Sequence, residues 1–312
     1  MITRRFVLKG IAATFAGTIG SAGYASAVEA GMDLRITRYR VAPSRWPAGL
    51  RLKLAVLADL HACEPWMPAG RIRHIAQVAT ALQPDAILLL GDYAGSGRFV
   101  TEQVPAEDWS QALAALQAPL GVHAILGNHD WWQDLAAQER GRGPVLGAIA
   151  LENRGISVHQ NRALRLVKGG QAFWLLGLDD QLALLPARRW GRNRFQGMDD
   201  LQGTLAQVTD DAPIILMAHE PDIFPRVPPD VALTLSGHTH GGQVRMFGYS
   251  PVVPSRFGNR YAYGHVVERT DSADEESERH LVVSGGLGCS ISPVRFGVPP
   301  EIVQIEISRR EA

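Results

Sequence analysis

An α/β fold is predicted by three features of this sequence. Short apolar runs recur along the chain, amphipathic helical stretches alternate with them, and five of the runs lead into aspartate, asparagine or histidine. Buried strands alternating with amphipathic helices are the pattern of α/β proteins. Open sheets of that class collect ligands beyond the carboxyl ends of their strands, so five such strand ends predict one shared site. The length of 312 residues, with 46% hydrophobic and 20% charged side chains, suits a chain with a sizeable core. No repeat or domain linker interrupts it.

The elements follow in order. Residues 34–41 alternate apolar and polar side chains, as a half-buried strand does, and the turn-rich residues 43–49 end that run. Residues 52–58 form a short apolar strand leading straight into Asp59-Leu60-His61. Ile72, Ile75, Ala76, Ala79 and Leu82 fall on one stripe of a helix over 71–82, which Pro84 stops. Strand 86–90 delivers Gly91-Asp92. A helix over 108–118 carries Trp109, Ala112, Leu113 and Leu116 on one face, and strand 122–126 ends in Gly127-Asn128-His129-Asp130.

The pattern then loosens. A helix is predicted over 145–152, strands over 156–158 and 173–178, an irregular arginine-rich segment over 186–198 and a short helix over 201–208. Strand 214–217 delivers His219, and strand 231–235 delivers Gly237-His238-Thr239-His240-Gly241-Gly242-Gln243. Residues 281–284 lead into a glycine-rich turn at 285–288, and residues 302–307 alternate as a last strand. The charged residues 271–279 read as a solvent-exposed loop.

Composition excludes some functions. Formal net charge is zero and the pI is about 7.2, so there is no basic excess of the kind that neutralises a run of phosphates; no nucleic-acid partner is predicted. Two cysteines, Cys63 and Cys289, are too few for a disulfide scaffold and read as separate thiols. Thr3-Arg4-Arg5-Phe6-Val7-Leu8-Lys9, the uncharged stretch from Gly10 and Ala25-Ser26-Ala27 together read as a twin-arginine export signal with its cleavage site. The expected organisation is a signal peptide over 1–27 and a single domain over 28–312, placed in the periplasm or otherwise outside the cytoplasmic membrane, with membrane-surface association as a further expectation. A retained anchor is the alternative, although the Gly, Ser and Thr content makes a weak membrane span.

Polar chemistry is concentrated at the strand ends. His238 and His240, two apart on an extended chain, point the same way; alone, such a pair is as much a glycine-rich surface turn as a metal site. Collected in order, Asp59-x-His61, Gly91-Asp92, Gly127-Asn128-His129-Asp130, His219 and Gly237-His238-x-His240 resemble the calcineurin-like metallophosphoesterase family. The resemblance runs from about residue 50 to 307. The continuation through 244–264, with Arg260-Tyr261, and the segment 292–302 from Ser292-Pro293-Val294-Arg295 to Ile302 are similar to the exported, twin-arginine-type bacterial phosphodiesterases of that family.

That resemblance implies a four-layer αββα sandwich, two mixed β-sheets flanked by helices, holding two divalent metal ions. Asp59, His61, Asp92 and His240 would hold the first ion, and Asp92, Asn128, His219 and His238 the second. Asp92 would bridge them, one carboxylate oxygen to each. The mixed imidazole and oxygen set suits Mn, Fe or Zn rather than Ca. The implied function is a dinuclear metal-dependent phosphoesterase, foremost a phosphodiesterase, in which a metal-bridging hydroxide attacks phosphorus and His129 serves the leaving oxygen. The substrate would be a phosphate-ester small molecule or an envelope component. A nucleotide-sugar-lipid pyrophosphatase and a non-catalytic, metal-containing envelope-binding protein are the alternatives.

Other residues are open to two readings. Protein Ser/Thr phosphatases of the family carry a further aspartate and an arginine soon after Gly-Asp; here the chain runs Asp92-Tyr93-Ala94-Gly95-Ser96-Gly97. This weighs against a phosphoprotein substrate and leaves the partner that orients His129 unidentified. Asp130 is either an orienting group or a cap. Trp131, Trp132, Arg188, Arg189, Trp190, Arg192, Arg194 and Phe195 form an aromatic and basic set that would grip a base or headgroup, or else divide into core tryptophan and solvated arginine. His74, His123, His159, His265 and His280 read as structural or surface residues.

Overall fold

The computed structural model describes residues 33–309 except 98, 273, 274 and 291; the segment read as an export signal lies outside them. In chain order the elements are β1 (Arg35–Val41), β2 (Leu52–Leu57), β3 (Cys63–Glu64), α1 (Ala69–Ala81), β4 (Ala86–Leu89), β5 (Glu102–Gln103), α2 (Ala106–Leu113), β6 (Val122–Ala124), α3 (Asn128–Trp132), α4 (Leu135–Arg140) and α5 (Leu146–Glu152). They continue with β7 (Ser157–Val158), β8 (Arg162–Lys168), β9 (Gln171–Gly177), α6 (Leu201–Leu205), β10 (Ile214–Met217), β11 (Val231–Ser236), β12 (Gly264–Ser272), β13 (Glu275–Val283) and β14 (Glu301–Ile307).

Two six-stranded mixed sheets result, ordered β1-β14-β2-β4-β6-β7 and β12-β13-β11-β10-β9-β8. Strands β2, β4, β6 and β7 run parallel in the first. Strands β9, β10, β11 and β13 do so in the second. Side-chain alternation along each strand divides the apolar residues between two faces. Leu54, Val56, Leu88, Val303 and Ile305 of the first sheet meet Leu175, Ile215, Met217, Leu233 and Leu235 of the second, making one core between the sheets. The opposite face of the first sheet, Ala55, Leu57, Ile87, Leu89 and Ala124, packs on Ile72, Ile75, Ala76 and Ala79 of α1 and on Trp109, Ala112 and Leu113 of α2. The outer face of the second is covered more thinly, by Leu201 of α6 and by Ile223 and Phe224 of the 3-10 turn Pro221–Arg226. This is the αββα order of layers, with its fourth layer reduced to short helical pieces.

Several expectations change. Of the charged stretch 271–279, the described residues 271–272 and 275–279 belong to the antiparallel strands β12 and β13 rather than to a loop. Cross-strand pairing explains it: Arg269 Nε lies 3.1 Å from Glu278 and Arg279 Nη2 2.7 Å from Glu268, so opposite charges sit face to face. The last strand is buried along all its length but Glu306, because β1 and β2 flank it on both edges. The helix begun at Ala106 ends at Leu113 and the one begun at Leu201 at Leu205, both shorter than their apolar stripes predict. Short helices α3 and α4 and the edge strand β8 were not anticipated by the pattern, each having too few apolar repeats to show a period.

Candidate metal centre

The parallel strands of both sheets deliver their polar residues to one end of the sandwich. After β2 come Asp59 and His61, after β4 Asp92, after β6 Asn128 and His129, after β10 His219, and after β11 His238 and His240. Backbone bonds lace these loops together: Asp59 N–H donates to Gly91 O at 3.0 Å, His61 N–H to Asp92 O at 3.0 Å and Gly237 N–H to His219 O at 3.0 Å. Asp59, His61, Asp92, His238 and His240 all adopt left-handed backbone conformations, with φ between 47° and 66°. Such conformations cost energy in non-glycine residues, concentrate at functional sites and are best tolerated by Asp, Asn and His.

Two groups of donors form. Nε2 of His61 lies 3.0 Å from Nε2 of His240 and 3.5 Å from Asp92 Oδ2, and Asp59 Oδ1 lies 3.7 Å from His240 Nε2. On the other side, His219 Nε2 is 3.3 Å from the same Asp92 Oδ2, and His238 Nδ1 is 2.9 Å from Asn128 Oδ1. All seven side chains expected to hold metal are therefore brought together. Asp92 Oδ2 faces both groups, while its Oδ1 accepts the backbone N–H of His129 at 2.8 Å.

The protonation chemistry of these atoms suits cations. His219 Nδ1 faces Leu90 O at 2.7 Å and donates to it, so in the neutral ring Nε2 is a lone pair pointing at a carboxylate oxygen. That Nε2 is buried without a hydrogen-bond partner. Nitrogen and oxygen lone pairs converging in a buried space repel one another unless a positive charge lies between them, a proton on His219 or a metal ion in its place. Gly127 keeps that space open: a Cβ there would lie 2.4 Å from Asp92 Oδ1 and 2.7 Å from His219 Cε1. The residues present thus fit divalent metal ions.

Burial sets the electrostatics. It holds His61 down at about 3 and takes His238 and His240 below the ordinary imidazole range, so these rings offer lone pairs at neutral pH. For His240 the neighbouring His61 and Arg295 add to the effect. Burial alone would lower His219 too, but the Asp92 carboxylate beside it prevails and raises the imidazole well above its usual value. Burial would raise Asp92, yet His219, His129 and His61 hold it well below the usual carboxylate range. Burial also pushes Asp59 up to about 7, with His219 opposing and Asp92 adding.

The surrounding residues hold this arrangement. Asp130 performs both of its expected tasks: Oδ2 accepts the N–H groups of Gly127 and Asp92, and Oδ1 those of Tyr93 and Ala94, at 2.9 to 3.2 Å. One carboxylate thereby caps α3 and pins the Asp92 loop. The His129 ring sits edge-on to His61 at 4.8 Å between centroids and 5.1 Å from Trp132, so ring packing holds it. Trp131 is core, its Nε1 on Asp179 at 3.0 Å, whereas Trp132 lines the cavity above the site and stacks on Phe195. Arg192 is tied to Gln138 and Leu185; Arg188, Arg189 and Arg194 are exposed. Gln243 binds the carbonyls of Ser292 and Val294 and the N–H of Ser290, anchoring the C-terminal loop to the GHTHGGQ turn. Both cysteines are free.

The sequence assigns no site role to Arg295 or Asp180. The wholly buried Arg295 donates to Gly285 O and Val298 O at 2.8 and 2.9 Å and to Gly288 O, with Nη2 3.3 Å from His240 Nδ1. A lone arginine in a proline-rich tail gives no hint of burial. Asp180 and Glu220 place a buried carboxyl pair beside His219, and burial with Glu220 raises Asp180 well above its usual value. The second Asp of Gly177-Leu178-Asp179-Asp180, at another strand end, was the available signal.

The two sheets, the strand-end loops and the paired donor groups define a metallophosphoesterase domain. The calcineurin-like phosphoesterase family model matches residues 52–242, more than half of the chain, and the chain belongs to that family. Among its relatives, an uncharacterized metallophosphoesterase, YkuE of Bacillus subtilis, is 28% identical over 96% of each chain. Phosphodiesterase YaeI of Escherichia coli is 28% identical over 98% of this chain and 100% of its own. UDP-2,3-diacylglucosamine pyrophosphatase LpxG of Chlamydia trachomatis is 25% identical over 86% of this chain and 88% of its own. The protein is accordingly a phosphoric ester hydrolase.

Proposed function

We propose that this hydrolase is a dinuclear metal-dependent phosphodiesterase. The observation that carries the reading is the single oxygen Asp92 Oδ2, 3.5 Å from a ligand nitrogen of one group and 3.3 Å from one of the other. Two ions so held would supply an activated water and neutralise phosphoryl charge. Asp59, His61, Asp92 and His240 would hold one; Asp92, Asn128, His219 and His238 would hold the other. Asn128 contributes a neutral ligand, limiting negative charge where an anionic ester must approach. During hydrolysis water adds to phosphorus, the bond from phosphorus to the leaving oxygen breaks, and His129 at the cavity edge gives that oxygen its proton. Mn, Fe and Zn all suit this ligand set.

Export by the twin-arginine route and residence in the cell envelope form part of the proposal, supported by residues 3–9 and 25–27. A pyrophosphatase acting on a lipid-linked nucleotide sugar is the second reading, favoured by the likeness to the Chlamydia enzyme named for that substrate class. The deciding experiment loads the protein with manganese and compares bis-p-nitrophenyl phosphate with p-nitrophenyl phosphate. Metal-dependent release with preference for the diester, abolished in Asp92→Ala, is the expected result. No metal-dependent release from either compound replaces this proposal with a non-catalytic binding protein.

A further inference from the structure

Above the donor groups opens a cavity of about 730 Å³, far more than a phosphate needs and within the range of whole small-molecule sites. The donor residues line it at one side, its floor, and the rest of its lining is mainly apolar, with Trp132, Val244, Val252, Pro254 and Val294 beside the uncharged Ser96, Gln243, Ser290 and Ser292. Among the described residues lining it there is no Lys or Arg, and the only carboxylate is Asp92 on the floor. Sites for polyphosphates take hold of each added phosphate with guanidinium or ammonium groups. Here the neighbouring guanidiniums turn elsewhere: Arg245 lies against Ser250 and over the Tyr263 ring, and Arg295 is spent on buried carbonyls. Arg98, next to the cavity residue Gly97, lies outside the described residues.

The apolar wall also continues outward. Val252 is 73% exposed, and the same loop shows Met246, Phe247 and Tyr249 to solvent. No charged residue occurs between Arg245 and Arg256. We infer that the phosphodiester taken by this site carries a single negative charge at the floor and an uncharged alkyl or acyl chain along the Val244 to Val252 wall. The inference rests on the phosphodiesterase reading and narrows it to amphiphilic esters.

The test is a series of methyl, butyl and octyl p-nitrophenyl phosphodiesters given to the manganese-loaded full chain. Burying a methylene completely is worth about fourfold, so kcat/KM is expected to rise about two- to fourfold per methylene until the wall is covered, mostly through KM. Val252→Asn together with Val294→Asn should cut the octyl-to-methyl ratio at least about tenfold. A flat series overturns the inference. A calorimetric titration with methyl- and octylphosphonate reads the same preference without turnover, so loss of the phosphodiesterase reading would leave this measurement decisive. Equal affinities for the two phosphonates, or tighter binding of an octyl pyrophosphate than of octylphosphonate, also overturns it.

Discussion

Asp92 and His219 form the pair on which uptake of the proposed metal ions would turn. Without metal, the carboxylate is held ionised and the imidazole protonated by their mutual contact, while Asp59 titrates near 7. His61, His238 and His240 are already neutral and lose no proton to a cation. Metal must therefore displace a proton from His219 and, below about pH 7, a second from Asp59. Apparent affinity should fall as pH is lowered through 7, gaining about tenfold per unit in steepness from the Asp59 proton. Calorimetric manganese titrations between pH 5.5 and 8, in buffers of different ionisation enthalpy, measure both the slope and the protons released. His129 makes a different prediction, because it touches the cavity and its imidazole accepts no metal in the assignment. His129→Ala should keep both equivalents of metal yet lose turnover on alkyl leaving groups far more, by about 100-fold or more, than on nitrophenolate. Equal losses on both would argue against its role as acid.

At the scale of elements, the site is a set of loops held by few bonds. Asp130, one turn into α3, accepts four backbone N–H groups from the ends of β4 and β6. Removing a partner from a buried donor costs about 1–3 kcal/mol. Asp130→Ala should therefore lower the unfolding free energy of metal-free protein by about 3 kcal/mol or more, with Asp130→Asn milder since one oxygen remains; urea titration measures both. The strands that carry the candidate ligands were legible because each is a short, mainly apolar run ending in a polar motif, as residues 86–92 and 122–130 illustrate. The β12–β13 hairpin was not legible, since its charges make sense only once Arg269 faces Glu278 across two strands. Nor was β8, an edge strand with no buried residue.

In the whole molecule, donors from the two sheets meet at the carboxyl ends of the parallel strands, with one apolar core between the sheets beneath them. Cations held there would tie the first sheet, through Asp59, His61, Asp92 and Asn128, to the second, through His219, His238 and His240. At 100 times the dissociation constant each bound ion adds about 2.7 kcal/mol to the folded state. For a domain of this size stripping the metal by chelation should lower Tm by about 10 °C or more, reversed by manganese and dependent on its concentration; a Tm indifferent to chelator would count against the cross-sheet assignment. Sequence alone determined the class of fold and singled out the seven side chains that the structure gathers, because strand periodicity and ligand chemistry are both local: each of them lies within a few residues of the apolar run that carries it. Tertiary structure alone decided that Asp92 turns one oxygen to both groups, that Asp130 and Arg295 brace them, and that the cavity walls are apolar. Those properties arise where segments far apart in the chain meet, as Trp132, Val252 and Val294 do, and no local pattern records such a meeting.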